Sequence, residues 1–446
     1  MIRVKLHIVR ELGLVQLPSH LLHNRPANNG QGTISCGQMK VPVVFSKSGS
    51  GGRPIPVGLG ADVLAALALS NGATVWASWN SEENRLRLGP VVAVLVWHTN
   101  SPGSYHFFGP VTGMVRSFVR LARRCGVIAY AFSARDVNWE TGIVSGFVPS
   151  GHAWRRVSVP LPDVVYDRLQ SRRLDRVKRI SICKERLKAL PGLHYFNPCF
   201  LDKWEVYQAL SRDPRARRYL PNTDKLTSPG QIGRWLRSYY TVYIKPTRGS
   251  LGLGVTKVSH TASGYRYQCT REGGSRVGVV ESLSKLEKQL QAVLPNRRVI
   301  IQQGLPLARF AGRPYDIRVM VQKTSRGKWV CTNMIARVAS AGSAVSNVSE
   351  GGSMISVRRA VSASLAISSR QAVGRIGKGA RLIAQAVETQ LGKEFGEFGV
   401  DMALDTRGRP WLIEVNSKPG RQNDNLPGIP PSIRRVVRYA ISKAGF

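Results

Sequence analysis

Three residues near the end of the chain could do chemistry together. In residues 397–420, EFGVDMALDTRGRPWLIEVNSKPG, the apolar Phe398, Val400, Met402 and Leu404 alternate with Gly399, Asp401 and Ala403. Beyond a polar, glycine-bearing turn at 405–409, Trp411, Ile413 and Val415 alternate with Leu412, Glu414 and Asn416. Side chains two apart share one face of a strand, and such a turn joins antiparallel strands. A register that sets Asp401 opposite Glu414 therefore gathers two carboxylates and an amide. Hard oxygen donors of this kind suit Mg2+ or Mn2+ in company with substrate phosphates. Taken alone, the pattern also describes an amphipathic hairpin with a solvated acidic face, so the elements upstream must decide.

Those elements carry cations and glycines. The run 241–245 alternates so that Lys245 shares a face with Tyr243, and Pro246 stops it. Arg248, Gly249, Ser250, Leu251, Gly252, Leu253 and Gly254 follow, a loop whose backbone amides could wrap phosphate oxygens. It is neither GxxxxGK[ST] nor GxGxxG, and a flexible hairpin tip would read the same way. In RRVIIQQGLPLARFAGRPYDIRVMVQ two strands flank a polar link at 302–305, and Asp316 and Arg318 share a face of the second. Arg337 lies in a further strand, TNMIARVAS. Paired guanidiniums aimed into a pocket hold triphosphate or acyl-phosphate charge; singly, each reads as a surface ion-pair partner. Residues 347–353 form a second glycine-bearing loop. In QAVGRIGKGARLIAQAVETQLG, Val373, Ile376, Ile383, Val387 and Leu391 keep near-helical spacing, which predicts a helix packed on the sheet that holds the acidic hairpin.

The remainder must support this. A chain of 446 residues predicts two or three domains, and 43% hydrophobic against 20% charged residues describes a globular protein. Residues 1–88 read as a small β-rich domain with one helical candidate, ADVLAALALS. Residues 89–199 turn to β-α-β order in PVVAVLVWHT, MVRSFVRLARRCG and VIAYAFS, an α/β unit. Residues 200–446 form the third domain, opening on a helix capped by Asp202. Sixty-five Lys and Arg against 26 Asp and Glu give a net charge of +39, which draws polyanions. The densest basic run, 168–190, has nine Lys or Arg against two acids and reads mainly as a solvated helical face. Six scattered cysteines without a CxxC pair fit a reducing compartment. The amino terminus has no apolar h-region, and no stretch reaches the ~20 apolar residues of a membrane span. Synthesis in the cytoplasm is expected, and no motif specific for nucleic acid is visible.

The order of these motifs resembles the nucleotide-binding core of the ATP-grasp superfamily over about residues 200–420. FLDKW, YIKPTRGSLGLGV, YDIRVMVQ, EFGVDMALD and WLIEVNSKPG are similar to the YheC/YheD-type endospore coat-associated proteins of spore-forming bacteria. The resemblance implies an α/β and α+β chain: an ATP-grasp fold, two α+β subdomains clasping ATP, preceded by a Rossmann-like pre-grasp domain and the small β-rich one. It implies that Lys203 and Lys245 contact the nucleotide phosphates, and that Arg248 and the loop Gly249, Ser250, Gly252 and Gly254 cover them. Gln302 and Leu305 would offer backbone groups to adenine, and Asp316 would receive the ribose. Arg318 and Arg337 would stabilise the transferring phosphoryl group, while Asp401, Glu414 and Asn416 would hold Mg2+. The hinge departs from the superfamily pattern, since Gln302 and Gln303 stand where many members have an acidic residue. The implied activity is a Mg-ATP-dependent carboxylate–amine ligase using an unidentified substrate pair. The alternatives are a nucleotide-binding structural or regulatory coat protein with little turnover, or a polyanion binder for acidic peptide or coat polymer.

Overall fold

The computed structural model describes residues 1–18, 30–48, 52–98, 106–249, 252–294, 298–340, 352–421 and 429–446. The chain folds as two compact units, the first made of residues 1–199, 323–328 and 420–446, the second of 200–322 and 329–419. The carboxyl-terminal helix Pro431–Lys443, counted with residues 200–446 by the sequence reading, packs in the first unit. Its apolar face, Ile433, Val436, Val437 and Ala440, shares a core with Met114, Phe118 and Val119, contacts that no local pattern announces.

The first unit opens on a barrel. Strands β1 (Ile2–Val9), β2 (Leu14–Pro18), β3 (Gln31–Cys36), β4 (Met39–Ser48), β5 (Ile55–Gly60), β6 (Thr74–Asn80) and β7 (Arg85–Gly89) close in the order β1-β5-β2-β4-β3-β7-β6. Alternate residues such as Val4, Leu6, Val15, Leu17, Val57 and Leu59 fill its interior, and closure leaves no open edge. A sheet follows, built from β8 (Val91–Leu95), β9 (Ile128–Phe132), β10 (Val137–Asn138), β11 (Ile143–Ser150), β12 (Ala153–Pro160), β13 (Val164–Asp167) and β14 (His194–Phe196). Its β9-β8-β13-β14 core is parallel. All five residues of β8 are buried, as expected of a parallel strand covered on both faces.

The second unit contains two sheets. One is antiparallel in the order β15 (Thr223–Lys225), β20 (Val299–Gln303), β16 (Thr241–Pro246), β17 (Thr256–Thr261), β18 (Gly264–Arg271), β19 (Gly274–Val280). Helices Gly230–Ser238 and Leu283–Val293 cover one face of it through Ile232, Leu236, Leu286 and Leu290, against Val242, Ile244, Val258 and Ile301. Alternation then commits Tyr243, Lys245, Lys257 and Gln302 to the opposite face. The other sheet runs β24 (Ser353–Ile355), β23 (Trp329–Val338), β22 (Arg313–Lys323), β25 (Glu397–Leu404), β26 (Pro410–Asn416), with β21 (Arg309–Phe310) paired to β22.

Helix Ser369–Leu391 lies on this second sheet as its periodicity predicts, burying Ala372, Ile376, Ala380, Ile383 and Val387. Its glycines differ in surroundings. A Cβ on Gly379 would stand 2.8 Å from the Tyr219 ring and 3.0 Å from the Met402 methyl, whereas one on Gly374 meets nothing within 4 Å. Alanine gains roughly 1 kcal/mol over glycine in a helix, and overpacking costs about 1–3 kcal/mol. Gly374→Ala is therefore expected to raise the denaturant midpoint and Gly379→Ala to lower it. Equal shifts in the two variants would show that this helix does not pack closely on Tyr219 and Met402.

Candidate functional site

The site starts where a helix, a strand and a loop are tied together. Asp202 caps helix Lys203–Ser211 by accepting from the backbone amides of Trp204 and Glu205. Its Oδ2 also accepts from Arg248 Nε at 3.1 Å, and Lys203 N donates to Thr247 O at 2.9 Å. The helix start is thus fixed to the end of β16. Lys203 Nζ lies 3.0 Å from Glu414 Oε1 and donates to the Gly249 carbonyl at 3.2 Å. Beside it, Lys245 Nζ donates to Gln302 Oε1 at 2.5 Å, and Gln302 Nε2 donates to Thr223 Oγ1 at 2.9 Å. Burial, and then the positive charge of Lys203, push the Lys245 ammonium down to about 8 against the opposing pull of Glu414. These groups line a pocket whose remaining wall is apolar, including Val206, Tyr207, Leu220, Ile300 and Leu412. An apolar slot beside two ammonium groups suits a flat ring that carries an anionic tail.

The glycine loop has the backbone its composition predicts. Gly252 and Gly254 adopt φ +74° and +76°, values that a side chain would disfavour. Gly254 N donates to Thr270 O at 2.9 Å, which anchors the end of the loop to β18. Ser250 and residues 347–351 lie outside the described residues. At the hinge, Gln302 sits inside the ladder opposite Thr223 and Tyr243, so it reaches the pocket through its side chain and not its backbone. The Leu305 carbonyl accepts from Leu307 N at 2.9 Å.

The acidic hairpin pairs in the register that would gather the carboxylates, with Asp401 opposite Glu414 and Gly399 opposite Asn416; an irregularity follows Asp401. On the other side β22 sets Arg318 opposite Asp401. A cluster results. Arg318 pairs with Asp401 through both Nε and Nη2, the latter at 3.0 Å. Arg337 donates two 2.7 Å bonds to the carboxylate of Asp316, and its Nη2 also lies 3.0 Å from Asp401 Oδ2. Asn416 Nδ2 is 3.5 Å from the same oxygen. Burial alone would raise the Asp401 carboxyl, and the two guanidiniums overcome it and hold the group below the usual carboxylate range. Burial likewise opposes the charge on Arg337, but Asp401 and Asp316 drive its pKa up. Asp316, expected to face a ribose, is thus engaged by Arg337. Gly399 provides room: a Cβ there would stand 3.3 Å from Arg318 Cδ.

Among the described residues no group of three or more His, Cys, Asp or Glu could hold a metal ion. Two carboxylates on neighbouring strands and an amide from Asn416 remain. That all-oxygen set fits a hard divalent cation that keeps water and phosphate in its other positions. Lys257 and Arg309 are two further cations of this unit that sequence reasoning did not single out. Lys257 lies opposite Tyr243 across β16 and β17; burial, then Arg309 and Arg266, lower its pKa. Parity with Lys245 could have suggested Lys257, but only if the β16–β17 register were known.

A sequence-family model described as YheC/D-like ATP-grasp matches residues 192–446. The chain is 29% identical over 312 residues to the endospore coat-associated protein YheD of Bacillus subtilis (strain 168), spanning 70% of this chain and 68% of that one. It is 24% identical over 316 residues to YheC of the same organism, spanning 68% and 84%. Among solved structures, D-cycloserine synthetase DcsG is similar at 13% identity with a TM-score of 0.47, over 78% of this chain and 98% of that one. With a family match covering more than half of its length, the chain belongs to the YheC/D-like ATP-grasp family.

Proposed function

We propose that the protein is a Mg-ATP-dependent carboxylate–amine ligase that works through an acyl phosphate and serves the endospore coat. One observation carries the reading: the Lys203–Glu414 pair, Lys245 and the Asp316–Arg337–Asp401–Arg318 cluster converge in one unit beside an apolar slot. In this reading a substrate carboxylate oxygen attacks the γ-phosphorus of ATP, giving an acyl phosphate and ADP. An amine then attacks the acyl carbon, phosphate leaves, and the amine sheds a proton to give the amide. Lys203 and Lys245 hold the phosphates, while Arg318 and Arg337 face the charge that builds on the transferring group. Asp401, Glu414 and Asn416 would hold Mg2+, which supplies charge neutralisation of the triphosphate. No side-chain nucleophile is needed. The coat assignment is supported by the names of the two Bacillus subtilis relatives, and synthesis in the cytoplasm is part of the proposal. The testing experiment is ADP release from Mg-ATP across a panel of carboxylates and amines. Release that requires a substrate pair supports the ligase and names its substrate class.

A rival reading, an ATP-binding structural or regulatory coat protein, is favoured by one feature: both carboxylates already have cationic partners, Lys203 for Glu414 and two arginines for Asp401. Tight nucleotide binding without ADP release on any pair would decide for it.

Lys245 gives a separate test of the phosphate site. Its ammonium is pushed down to about 8, and a bound triphosphate would raise it again, so binding takes up a proton as pH passes that value. Nucleotide affinity is expected to change little below about 8 and to fall by up to roughly tenfold per pH unit above it. Calorimetry in buffers of different ionisation heat reads the proton uptake directly. A Lys245→Met protein should lose the pH dependence; unchanged dependence would remove Lys245 from the phosphate site.

A further inference from the structure

The first unit carries a charge pattern that the ligase reading does not use. Between residues 84 and 162 there are nine arginines and no lysine, and the only carboxylates are Asp136 and Glu140. Four of the arginines lie on helix Thr112–Arg124: Arg116, Arg120, Arg123 and Arg124. Spacings of three and four put them on one helical face, while Val115, Phe118, Val119 and Ala122 are buried on the other. The β11–β12 hairpin lies alongside. Arg116 donates to Gly151 O at 2.9 Å and His152 O at 2.8 Å, and its guanidinium stands 4.9 Å from the centre of the Trp154 ring. Arg120 donates to Gly151 O at 2.7 Å. Arg155 of β12 is close enough to Arg123 to add to burial in lowering its pKa. Arg156 has a carboxylate, Asp136, at 3.6 Å. Among the described residues Arg120, Arg123, Arg124 and Arg155 have none.

Like charges crowd here, with guanidinium planes partly fixed by backbone carbonyls before any partner arrives. Such an arrangement is costly in isolation and favourable when an anion bridges the forks. We propose that this face, helix Thr112–Arg124 with Arg155, docks a carboxylate-rich segment of a polypeptide. Extended chains place alternate side chains about 6.5–7 Å apart, close to the roughly 6 Å between helical residues four apart. A single-stranded nucleic acid would want exposed rings for stacking, and the ring at this face, Trp154, is 4% exposed beneath Arg116. The inference stands or falls independently of the ligase reading.

The test is fluorescence anisotropy of the full chain with a labelled peptide of about ten glutamates, at ~50 and ~200 mM salt. A glutamine peptide and a deoxythymidine strand of the same length serve as comparisons. The glutamate peptide is expected to bind and the glutamine peptide not to. Arg120→Ser with Arg123→Ser should weaken binding at least about tenfold and flatten the salt dependence. Arg120→Lys with Arg123→Lys, which keeps the charge but not the fork, should fall between. Arg276→Ser with Arg326→Ser, two exposed arginines elsewhere, should change binding less than about twofold. Equal loss in that control pair would overturn the proposal in favour of diffuse charge. Tighter binding of the deoxythymidine strand at this face would overturn it in favour of nucleic acid.

Discussion

A Glu414→Gln protein is expected to release ADP at least ~100-fold more slowly than the parent while keeping its fold, because the change removes one charge and almost no volume. Losing a fixed charge from a reacting centre costs on the order of 100- to 1,000-fold in turnover. Glu414 stands at a point where three effects meet. It is the register partner of Asp401, the partner of Lys203 at 3.0 Å, and the group that holds the Lys245 ammonium up against burial and Lys203. Neutralising it should therefore do two further things that a merely structural residue would not. Lys245 should deprotonate at lower pH than in the parent, moving the pH dependence of nucleotide binding in the acid direction. The gain in ATP affinity on adding Mg2+ should shrink toward nothing, since one of the two proposed carboxylate ligands is gone. Undiminished ADP release together with a full Mg2+ effect would remove Glu414 from the centre.

The reach of the sequence can be judged on these same residues. Alternation put Asp401 and Glu414 each on the polar side of its own strand, and the observed register pairs them. The cap at Asp202 and the helix over 369–391 were legible for equally local reasons, a capping oxygen and a 3.6-residue period. What was not legible is long-range. Arg318 meets Asp401 across 83 residues of sequence, and nothing in either strand says that Arg337 will divide its guanidinium between two carboxylates. The reading of Gln302 erred in kind: its backbone lies in the ladder between β15 and β16, a consequence of strand order that composition does not contain. Closure of the amino-terminal strands into a barrel was hidden for the same reason. Its pairings β1–β5, β2–β4 and β3–β7 are parallel and join strands that no tight turn connects.

The second large effect is on stability. Arg337→Met is expected to destabilise the protein by about 3–5 kcal/mol, the usual result of removing one partner from a buried ionic group. Arg337 and Asp316 are only 8% and 6% exposed, and Asp401 is 4% exposed, so water cannot replace the guanidinium. The net charge argues the other way, since removing a cation from a chain at +39 relieves repulsion. That relief is spread over many screened surface charges, whereas the loss falls on bonds of 2.7 Å and 3.0 Å in the interior. Local pairing should win. The pH dependence separates this cause from a simple packing defect. In the parent, Asp401 is held below its ordinary pKa, so its contribution is complete above about 3.9 and lost as pH falls through the folded value. In the variant, buried carboxylates that have lost a cation are relieved by taking up protons. Down to about pH 4 the parent should keep this contribution while the variant recovers, so the gap between their denaturant midpoints should narrow toward pH 4. A gap that stays constant from neutral to acid pH would mean that Arg337 serves there as volume, and that the charges of Asp316 and Asp401 are balanced without it.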